Sequence, residues 1–316
     1  FGHVATNYRE NPFALVRGAD GYLWWATGKG VYRVVGRRMV PVPGLEKTYA
    51  RTLCAWRGRM LVGTYGEGPL VVDRGKVVHL PLDDRGALSH VHAFIPDDEG
   101  HLWMPTNHGL FKVRMNALEN FLTDPKGILA YRSFGRDEGL RTLEFNGGCS
   151  PPYLRLPNGE ISLPTFDGLL RFQPSAIIDP LEHFRPSVDE VFLNEASVGS
   201  MGGEALRLQR NDRLVVEYTL PFWGNPTDLQ VYYRVFGLSR QWLPVDKGAD
   251  RITIERMPPG KYTLQVMRAG DPTSVRNLLP VVVVSRWYER RWAISSFVVL
   301  LVAAVWLLLR LRTGQL

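Results

Sequence analysis

The first half of the chain repeats one pattern of apolar and polar positions. A polar turn with glycine leads into a mainly apolar segment that ends in threonine, and a second glycine then opens another such segment. The pattern occurs four times, at residues 20–33, 58–70, 100–112 and 158–171. Asp-Gly and Asn-Gly, which begin the first and last copies, favour tight hairpin turns, and alternating apolar residues are typical of β-strands. Each copy therefore predicts a β-hairpin.

Four threonines mark the common register of these copies: Thr27, Thr64, Thr106 and Thr165. They lie 37, 42 and 59 residues apart. The first two intervals suit β-propeller blades, whose four strands repeat every ~40–50 residues. The longest interval contains an inserted segment, 116–122, which we expect to be a short helix capped by Asn116. Residues 1–176 are thus predicted to be propeller blades.

Four blades are fewer than most closed propellers contain, and an open propeller exposes a strand edge and a half-buried face. The chain also begins at Phe1, with neither an initiator methionine nor a signal peptide. We therefore expect further blades upstream of Phe1, in a number that the sequence leaves open.

After a proline-bounded linker at 177–186, residues 187–284 show short alternating segments. The predicted strands are 206–208, 213–218, 229–235, 251–254 and 261–266. Five or more strands in about a hundred residues favour an immunoglobulin-like β-sandwich. The predicted fold class is therefore all-β: a partial propeller followed by a sandwich.

One uninterrupted apolar run, 292–309, contains no charge, proline or glycine. Its eighteen residues, at ~1.5 Å each, would form a helix about 27 Å long, close to the thickness of a bilayer core. Arginines flank both ends. We predict a transmembrane helix, because the alternative, a buried core helix, usually carries a polar stripe.

The helix divides the chain very unequally. It follows a juxtamembrane segment at 285–291, and only residues 310–316 come after it, as the start of a cytoplasmic region. The basic residues on both sides do not fix the orientation. Because a large folded domain can be translocated regardless of charge, we expect residues 1–291 to lie outside the cytoplasm.

The repeats resemble the two-component regulator propeller repeats (Reg_prop) in the extracytoplasmic halves of bacterial transmembrane sensors. Segments 134–140 and 144–148 resemble the family's closing blade, and residues 172–174 end it. The sequence departs from the family at Pro105 and Pro164, where a small residue usually precedes the threonine. Because proline lacks an N–H group, we expect the strands that contain them to be sheet edges or to be bulged there.

Residues 187–284 resemble the Y_Y_Y domain, an immunoglobulin-like module that follows these propellers. The resemblance rests on 233–238, Trp242 and 259–266. A generic fibronectin-type module would have the same core, but the order of propeller, sandwich and helix favours the sensor family. In that family the output is usually a histidine kinase, often hybrid, and sometimes a diguanylate cyclase; the ligands are often polysaccharide fragments. No output domain is present in this chain.

Composition adds few constraints. The net charge of +7 is spread in ones and twos, which is typical of a solvated surface and gives no nucleic-acid footprint. Cys54 and Cys149 lie 95 positions apart without a CxxC motif, so zinc binding is not favoured; they either pair in an oxidising compartment or remain two buried thiols. The adjacent acids at 83–84, 97–99 and 137–138 stand in turns beside glycines, which turn chemistry explains better than catalysis.

Propellers bind ligands at one mouth of the central channel, through loops and the ends of inner strands. By that rule the candidate ligand-binding residues are Arg51, His90, His92, Glu144 and Asn146, with Trp25 and Tyr65 as stacking surfaces for a sugar. A structural role would explain each of them as well. His90 and His92 are two apart on a predicted inner strand and so share a face. A metal site would need a third ligand, and none is suitably spaced.

These features favour the ligand-sensing and signal-transmitting part of a single-pass sensor in the bacterial inner membrane, with most of the chain periplasmic. We expect a homodimer that binds a small ligand, such as an oligosaccharide, without a cofactor or metal. Ligand binding would shift the packing of two sandwiches and reposition the paired helices.

Two other functions remain open. A membrane-anchored propeller enzyme acting on glycans, such as a lyase, would need acid, base and charge-stabilising residues in one mouth, and no such cluster is visible in the four repeats. The motifs Gly-x-Ser-x-Gly, HExxH and the phosphate loop are also absent, so no catalytic residue is predicted. A structural spacer without a ligand is the third interpretation.

Overall fold

A computed structural model of the chain describes residues 12–83, 86–125, 127–147, 150–177, 185–199, 205–220, 230–246, 248–269, 271–285 and 291–313. It consists mostly of β-strands, as the sequence predicts. The chain divides into two compact units, Phe1–Glu182 and His183–Leu316. Most of the predicted linker, 178–184, lies outside the described residues, and the domain limits stay predictions.

The first unit contains four antiparallel sheets, and the strands of each sheet neighbour one another in sequence order, as they do in a propeller blade. We call the sheets blades 1 to 4. Blade 1 consists of β1 (Pro12–Arg17), β2 (Leu23–Thr27), β3 (Gly30–Val35) and β4 (Arg38–Pro41). Blade 2 consists of β5 (Ala50–Trp56), β6 (Arg59–Thr64), β7 (Pro69–Asp73) and β8 (Lys76–His79).

Blade 3 consists of β9 (Ile95–Pro96), β10 (His101–Thr106), β11 (Gly109–Arg114) and β12 (Arg132–Phe134). Blade 4 consists of β13 (Leu154–Arg155), β14 (Ile161–Thr165) and β15 (Gly168–Phe172). The inserted helix α1 (Met115–Thr123) joins β11 to β12. The prediction that Asn116 caps it is wrong: the helix begins one residue earlier, Arg114 occupies the cap position, and no side chain caps it.

The threonine of each repeat closes the hairpin between the second and third strands. Its hydroxyl donates a hydrogen bond to the carbonyl of the glycine that opens or directly precedes the next strand, in the pairs Thr27–Gly30 (2.9 Å), Thr64–Gly68 (2.7 Å), Thr106–Gly109 (2.9 Å) and Thr165–Gly168 (3.1 Å). In the first three blades the same hydroxyl oxygen also accepts a backbone N–H from the turn. The glycine is needed because its φ is positive, for example +131° at Gly109. This geometry explains why threonine and glycine recur together.

We expect Thr106→Val to lower the free energy of unfolding by about 2 kcal/mol. Thr106 is fully buried, so valine would leave the Gly109 carbonyl and the His108 N–H without their partner. Thr106→Ser keeps the hydroxyl and should lose less. Urea unfolding followed by tryptophan fluorescence measures both variants, and equal losses would contradict this role of the hydroxyl.

The innermost strands of blades 1 and 2 each contain an irregularity near their start. Pairing shifts by one residue between Pro12 and Ala14 in blade 1 and between Ala50 and Thr52 in blade 2, so that Phe13 and Arg51 are the extra residues.

Blade 3 repeats this irregularity, and blade 4 has the matching backbone hydrogen bond. The bridge Val91–Thr106 and the pair Ile95–Trp103 differ by one residue in register. The N–H of His92 donates to the Pro105 carbonyl at 2.9 Å, and the N–H of Asn146 donates to that of Pro164 at 3.0 Å. Phe13, Arg51, His92 and Asn146 therefore occupy corresponding places in the four blades.

The two prolines lie in interior strands, so the expectation that their strands are sheet edges is wrong. β10 lies between β9 and β11, and β14 lies between β13 and β15, with regular registers on the outer side. In blade 3 the irregularity is instead in the inner strand that faces Pro105. Each proline carbonyl accepts a backbone hydrogen bond from the inner strand. The sheet tolerates the proline because the N–H that it lacks is not needed at that position.

The second unit contains two sheets, ordered β17-β16-β19-β22 and β18-β24-β23-β20-β21. Their strands are β16 (Ser187–Leu193), β17 (Ala196–Gly199), β18 (Leu206–Gln209), β19 (Arg213–Thr219), β20 (Val231–Phe236), β21 (Leu243–Pro244), β22 (Arg251–Glu255), β23 (Gly260–Arg268) and β24 (Arg276–Val284). Alternate residues of both sheets, such as Val216 and Leu264, form one apolar core. The five predicted strands are thus confirmed, while an immunoglobulin-like topology stays a prediction.

The helix α2 (Arg291–Thr313) covers the apolar run. Six consecutive residues, Phe297 to Val302, are each 53–66% exposed, so apolar side chains of this stretch are exposed on every side of the helix. By joint criteria of length and hydropathy, none of the helices in the described ranges qualifies as a membrane span.

Candidate functional site

Side chains from three blades meet at the end of the first unit where the threonine hairpins lie. Two hydrogen bonds hold consecutive blades together there: the N–H of Val91 donates to the Thr64 carbonyl, and that of Phe145 donates to the Thr106 carbonyl, each at 3.0 Å. The residues that meet are Phe13, Tyr49, Arg51, Tyr65, His90 and His92. We call them the hairpin-end cluster.

Arg51 lies among three aromatic rings of the cluster. Its guanidinium carbon is 4.6 Å from the ring centre of Phe13, 5.7 Å from that of Tyr49 and 5.3 Å from that of Tyr65. These distances permit cation–π attraction. The Nε atom is buried without a hydrogen-bond partner, and no carboxylate among the described residues pairs with this arginine. Arg51 is therefore held by aromatic rings rather than by an acid.

The two histidines contact Tyr65 and are fixed by polar neighbours. The His90 ring meets the Tyr65 ring edge-on, with centres 4.3 Å apart, and the His92 ring lies 6.4 Å away. Nε2 of His92 is 2.6 Å from Oδ1 of Asn107, whose Nδ2 donates to the Tyr65 hydroxyl at 3.3 Å. Because Oδ1 only accepts, Nε2 carries the His92 proton, and the buried Nδ1 is left without a partner.

Burial lowers the pKa of His92 below its ordinary value of 6.5. Asn107 and Glu144 raise that pKa in part, whereas the charge of Arg51 and the neighbouring His90 lower it further. Burial and His108 also lower the pKa of His90. At neutral pH the cluster therefore presents one cation and two neutral imidazoles.

Acidification should destabilise the first unit through His92. In the unfolded chain this histidine takes up a proton near pH 6.5, but in the folded chain it does so only at lower pH. Between these values the unfolded state binds more protons, so stability falls as the pH falls. We expect His92→Gln to lose less stability than the native chain between about pH 7.5 and 5, by urea unfolding. His79→Gln, at an exposed site in β8, is the control; an unchanged pH dependence in His92→Gln would contradict this expectation.

The structure brings four of the seven predicted site residues into one cluster: Arg51, Tyr65, His90 and His92. Glu144 is exposed, and its charge acts on His92. Asn146 is exposed in blade 4 at the place that corresponds to His92. Trp25 pairs with Leu15 and Tyr32 in blade 1, and no ring contact among the described residues joins it to the cluster.

Sequence reasoning missed Phe13, Tyr49 and Asn107. The repeat register contains the signal that would have found them. Tyr49 precedes Arg51 by two residues, as His90 precedes His92, and Asn107 directly follows its threonine, as Tyr65 does. An alignment of the repeats on these threonines identifies the side chains at this end of each blade.

Gly147 of blade 4 packs directly against His92. A Cβ atom at this glycine would lie 2.1 Å from Nδ1 and 2.6 Å from Cβ of the histidine. The imidazole is therefore confined between the Gly147 backbone on one side and Asn107 on the other. This confinement fixes the orientation of a side chain in the cluster.

Other candidate chemistry in the first unit is limited. No group of three histidine, cysteine or acidic residues within the described ranges could hold a metal. Cys54 forms no disulfide with a described residue, and burial raises the pKa of its thiol to about 11. Cys149 lies outside the described residues, so the proposed pairing stays untested.

No protein-family model matches the chain. Histidine kinase P4 from Formosa agariphila is 24% identical over 198 residues, and the match covers 58% of this chain and 13% of that protein. This chain therefore corresponds to only a small part of that relative.

Two solved structures show weaker likeness. The extracellular domain of a putative hybrid two-component system from B. thetaiotaomicron has 19% identity and a TM-score of 0.45, covering 86% of this chain and 38% of that one. Virginiamycin B lyase from Staphylococcus aureus has 9% identity and a TM-score of 0.35, covering 86% and 85%. Both TM-scores are under 0.5.

Proposed function

We propose that this chain is the ligand-sensing and signal-transmitting portion of a bacterial transmembrane sensor of the histidine kinase or diguanylate cyclase type. The hairpin-end cluster is the observation that carries the proposal, because it holds an arginine that pairs with no acid in the described part of the chain, beside accessible aromatic rings. The similarity to histidine kinase P4 supports the choice of protein class. The resemblance to Reg_prop and Y_Y_Y sequences supports it as well.

The proposed ligand of the cluster is an oligosaccharide. Tyr49 and Tyr65 are 37% and 39% exposed, so their rings offer apolar faces to a sugar. His90 and Asn107 lie beside them and can exchange hydrogen bonds with hydroxyl groups. A few convergent polar groups among aromatic side chains are the usual composition of a small-ligand site.

The proposed anchor is helix α2, with the bulk of the chain periplasmic. Its outward-facing apolar residues would be costly in water, and a helix that is apolar on every side suits a bilayer.

In a homodimer, ligand binding would shift the packing of the paired sandwiches and of the paired helices. Crosslinking of single cysteines along 292–309, in membranes, tests this step. An absence of helix pairing, with and without ligand, would contradict it.

The binding step is tested with the full chain and a panel of oligosaccharides, by isothermal titration. We expect one or more of them to bind and Tyr65→Ala to weaken that binding at least tenfold, an effect of about 1.4 kcal/mol. Tyr22→Ala is the matched control, since Tyr22 is 41% exposed and stacks with Arg33 rather than with the cluster. Binding that is insensitive to Tyr65→Ala would place the ligand elsewhere.

A glycan lyase is the second candidate, and one observation favours it. The sequence showed no cluster of acid, base and charge-stabilising residues, but the structure gathers a cation, two neutral imidazoles and a phenol in one place. A neutral imidazole is suited to proton abstraction. Turnover of a polysaccharide panel, measured by the appearance of unsaturated ends, would favour the enzyme, and its absence together with binding would favour the sensor.

A further inference from the structure

We infer that the ligand of the hairpin-end cluster is anionic: an oligosaccharide with a carboxylate or sulfate group that pairs with the guanidinium of Arg51. This inference rests on the proposed function, in which the cluster binds an oligosaccharide, and it adds the charge class of that ligand.

Arg51 differs from other arginines of the same unit in its ionic partners. Arg57 pairs with Glu119 at 2.5 Å, and Arg171 pairs with Glu160 at 2.6 Å. Arg51 has no such partner among the described residues, although its side chain is partly buried and its Nε is fully buried. A cation that is removed from water without an acid is costly. An anionic ligand would supply the missing partner.

The surroundings of the Arg51 guanidinium also favour an anionic ligand. Aromatic rings surround the guanidinium at 4.6 to 5.7 Å, and they provide neither a hydrogen-bond acceptor at the Arg51 nitrogens nor a full negative charge. Ring contacts at these distances hold a planar guanidinium in place without using its N–H groups, so its terminal edge stays able to donate. Such an edge matches the two oxygens of a carboxylate or sulfate group.

The distribution of charge around Arg51 favours an anionic ligand as well. The lowered pKa values of His90 and His92 leave both rings neutral near pH 7, where they can bind hydroxyl groups. Glu144 carries the acidic charge at the rim, yet its effect on His92 is smaller than that of Arg51. The cation and the carboxylate are not paired with each other, so each can meet a different group of a polar ligand.

The test uses the full chain and three saccharides of equal length: an oligogalacturonate, its fully methyl-esterified form and a sulfated galactan fragment. We expect at least one of the two anionic forms to bind about tenfold to a hundredfold more tightly than the ester. The binding of that form should weaken as salt rises from low to physiological concentration. Preference for the carboxylate or the sulfate form identifies which group the site takes.

Three variants localise the effect. Arg51→Gln should remove the preference for the anionic form, and Glu144→Gln should increase it. Arg171→Gln removes one positive charge from an exposed pair in β15 and should leave the preference unchanged. A thermal melt checks that each variant folds. If Arg51→Gln does not fold, the comparison of acid and ester on the native chain still decides the question.

Equal affinity for the acid, the ester and the sulfated form, with no dependence on salt, would overturn the inference and leave oligosaccharide binding intact. A preference that survives Arg51→Gln would also overturn it, because another cation would then be responsible. Failure of every saccharide to bind would overturn both this inference and the proposed oligosaccharide ligand.

Discussion

Replacing Asp97 by alanine should lower the free energy of unfolding by about 3 kcal/mol. The carboxylate is buried, accepting the backbone N–H of His101 and the indole N–H of Trp103, both at 2.7 Å. Trp103 is only 1% exposed, so its indole N–H would be left without a partner in the core of blade 3. Buried donors that lose a charged acceptor account for the size of the effect.

The matched control is Asp98→Ala, one residue further along the same turn. Asp98 is exposed and pairs with Arg155 at 3.4 Å on the surface, so its loss should cost less than about 1 kcal/mol. Urea unfolding followed by tryptophan fluorescence measures both variants. Equal losses from the two substitutions would show that the contact with Trp103 contributes little.

The pH dependence of the native chain's stability also reports the contribution of Asp97. Burial raises the pKa of Asp97, but the hydrogen bonds from His101 and Trp103 outweigh burial, and the pKa lies below its ordinary value of 3.8. The stability that this carboxylate contributes is therefore present above that ordinary value and is lost as the pH falls through the folded-state pKa. Asp97→Ala should lack this loss in acid.

Replacing Gly147 by alanine should disrupt the hairpin-end cluster. The added methyl group would lie 2.1 Å from Nδ1, 2.5 Å from Cγ and 2.6 Å from Cβ of His92. Because the clash includes Cβ, rotation of the ring alone cannot relieve it, and the backbone of one blade must move. Overpacking of this kind costs about 1–3 kcal/mol. The displaced His92 would also lose its hydrogen bond to Asn107.

Two comparisons make the Gly147→Ala result specific. Gly135→Ala is the control, because its Cβ would meet neighbours only at 3.5 Å or more. In the double variant with His92→Ala, the contacts with Nδ1 and Cγ are removed and only the one with Cβ remains, so the combined loss of stability should be smaller than the sum of the two single losses. Urea unfolding and oligosaccharide titration give the two measurements. Strictly additive losses would indicate that Gly147 and His92 do not interact.

The repeats predicted much of the first unit because each copy contains its own turn and its own alternation. The threonine register located the hairpins, and Tyr65 and His90 were recognised as neighbours of the site. The cluster's internal arrangement was not predictable from this register, because it depends on which blades adjoin. Arg51 between the rings of Phe13 and Tyr49 is a contact between blades, and no local pattern indicates it.

Pro105 and the cap of helix α1 also show what a local sequence pattern cannot predict. Pro105 argued against an interior strand, but the position of the facing inner strand, which decides whether the missing N–H matters, is a tertiary property. Asn116 was a suitable capping residue by type, yet the helix began one residue before it. Residue type therefore indicated the helix but not its first residue, Met115.

The corresponding inner-strand residue of each blade offers a way for such a protein to change its ligand. Backbone pairing on either side fixes where this residue stands, whereas its side chain differs in each blade: Phe13, Arg51, His92 and Asn146. Selection can therefore replace one of these side chains at a time without changing the residues of the apolar core. The blades form a set of interchangeable positions, from which a lineage can assemble new specificities by single substitutions.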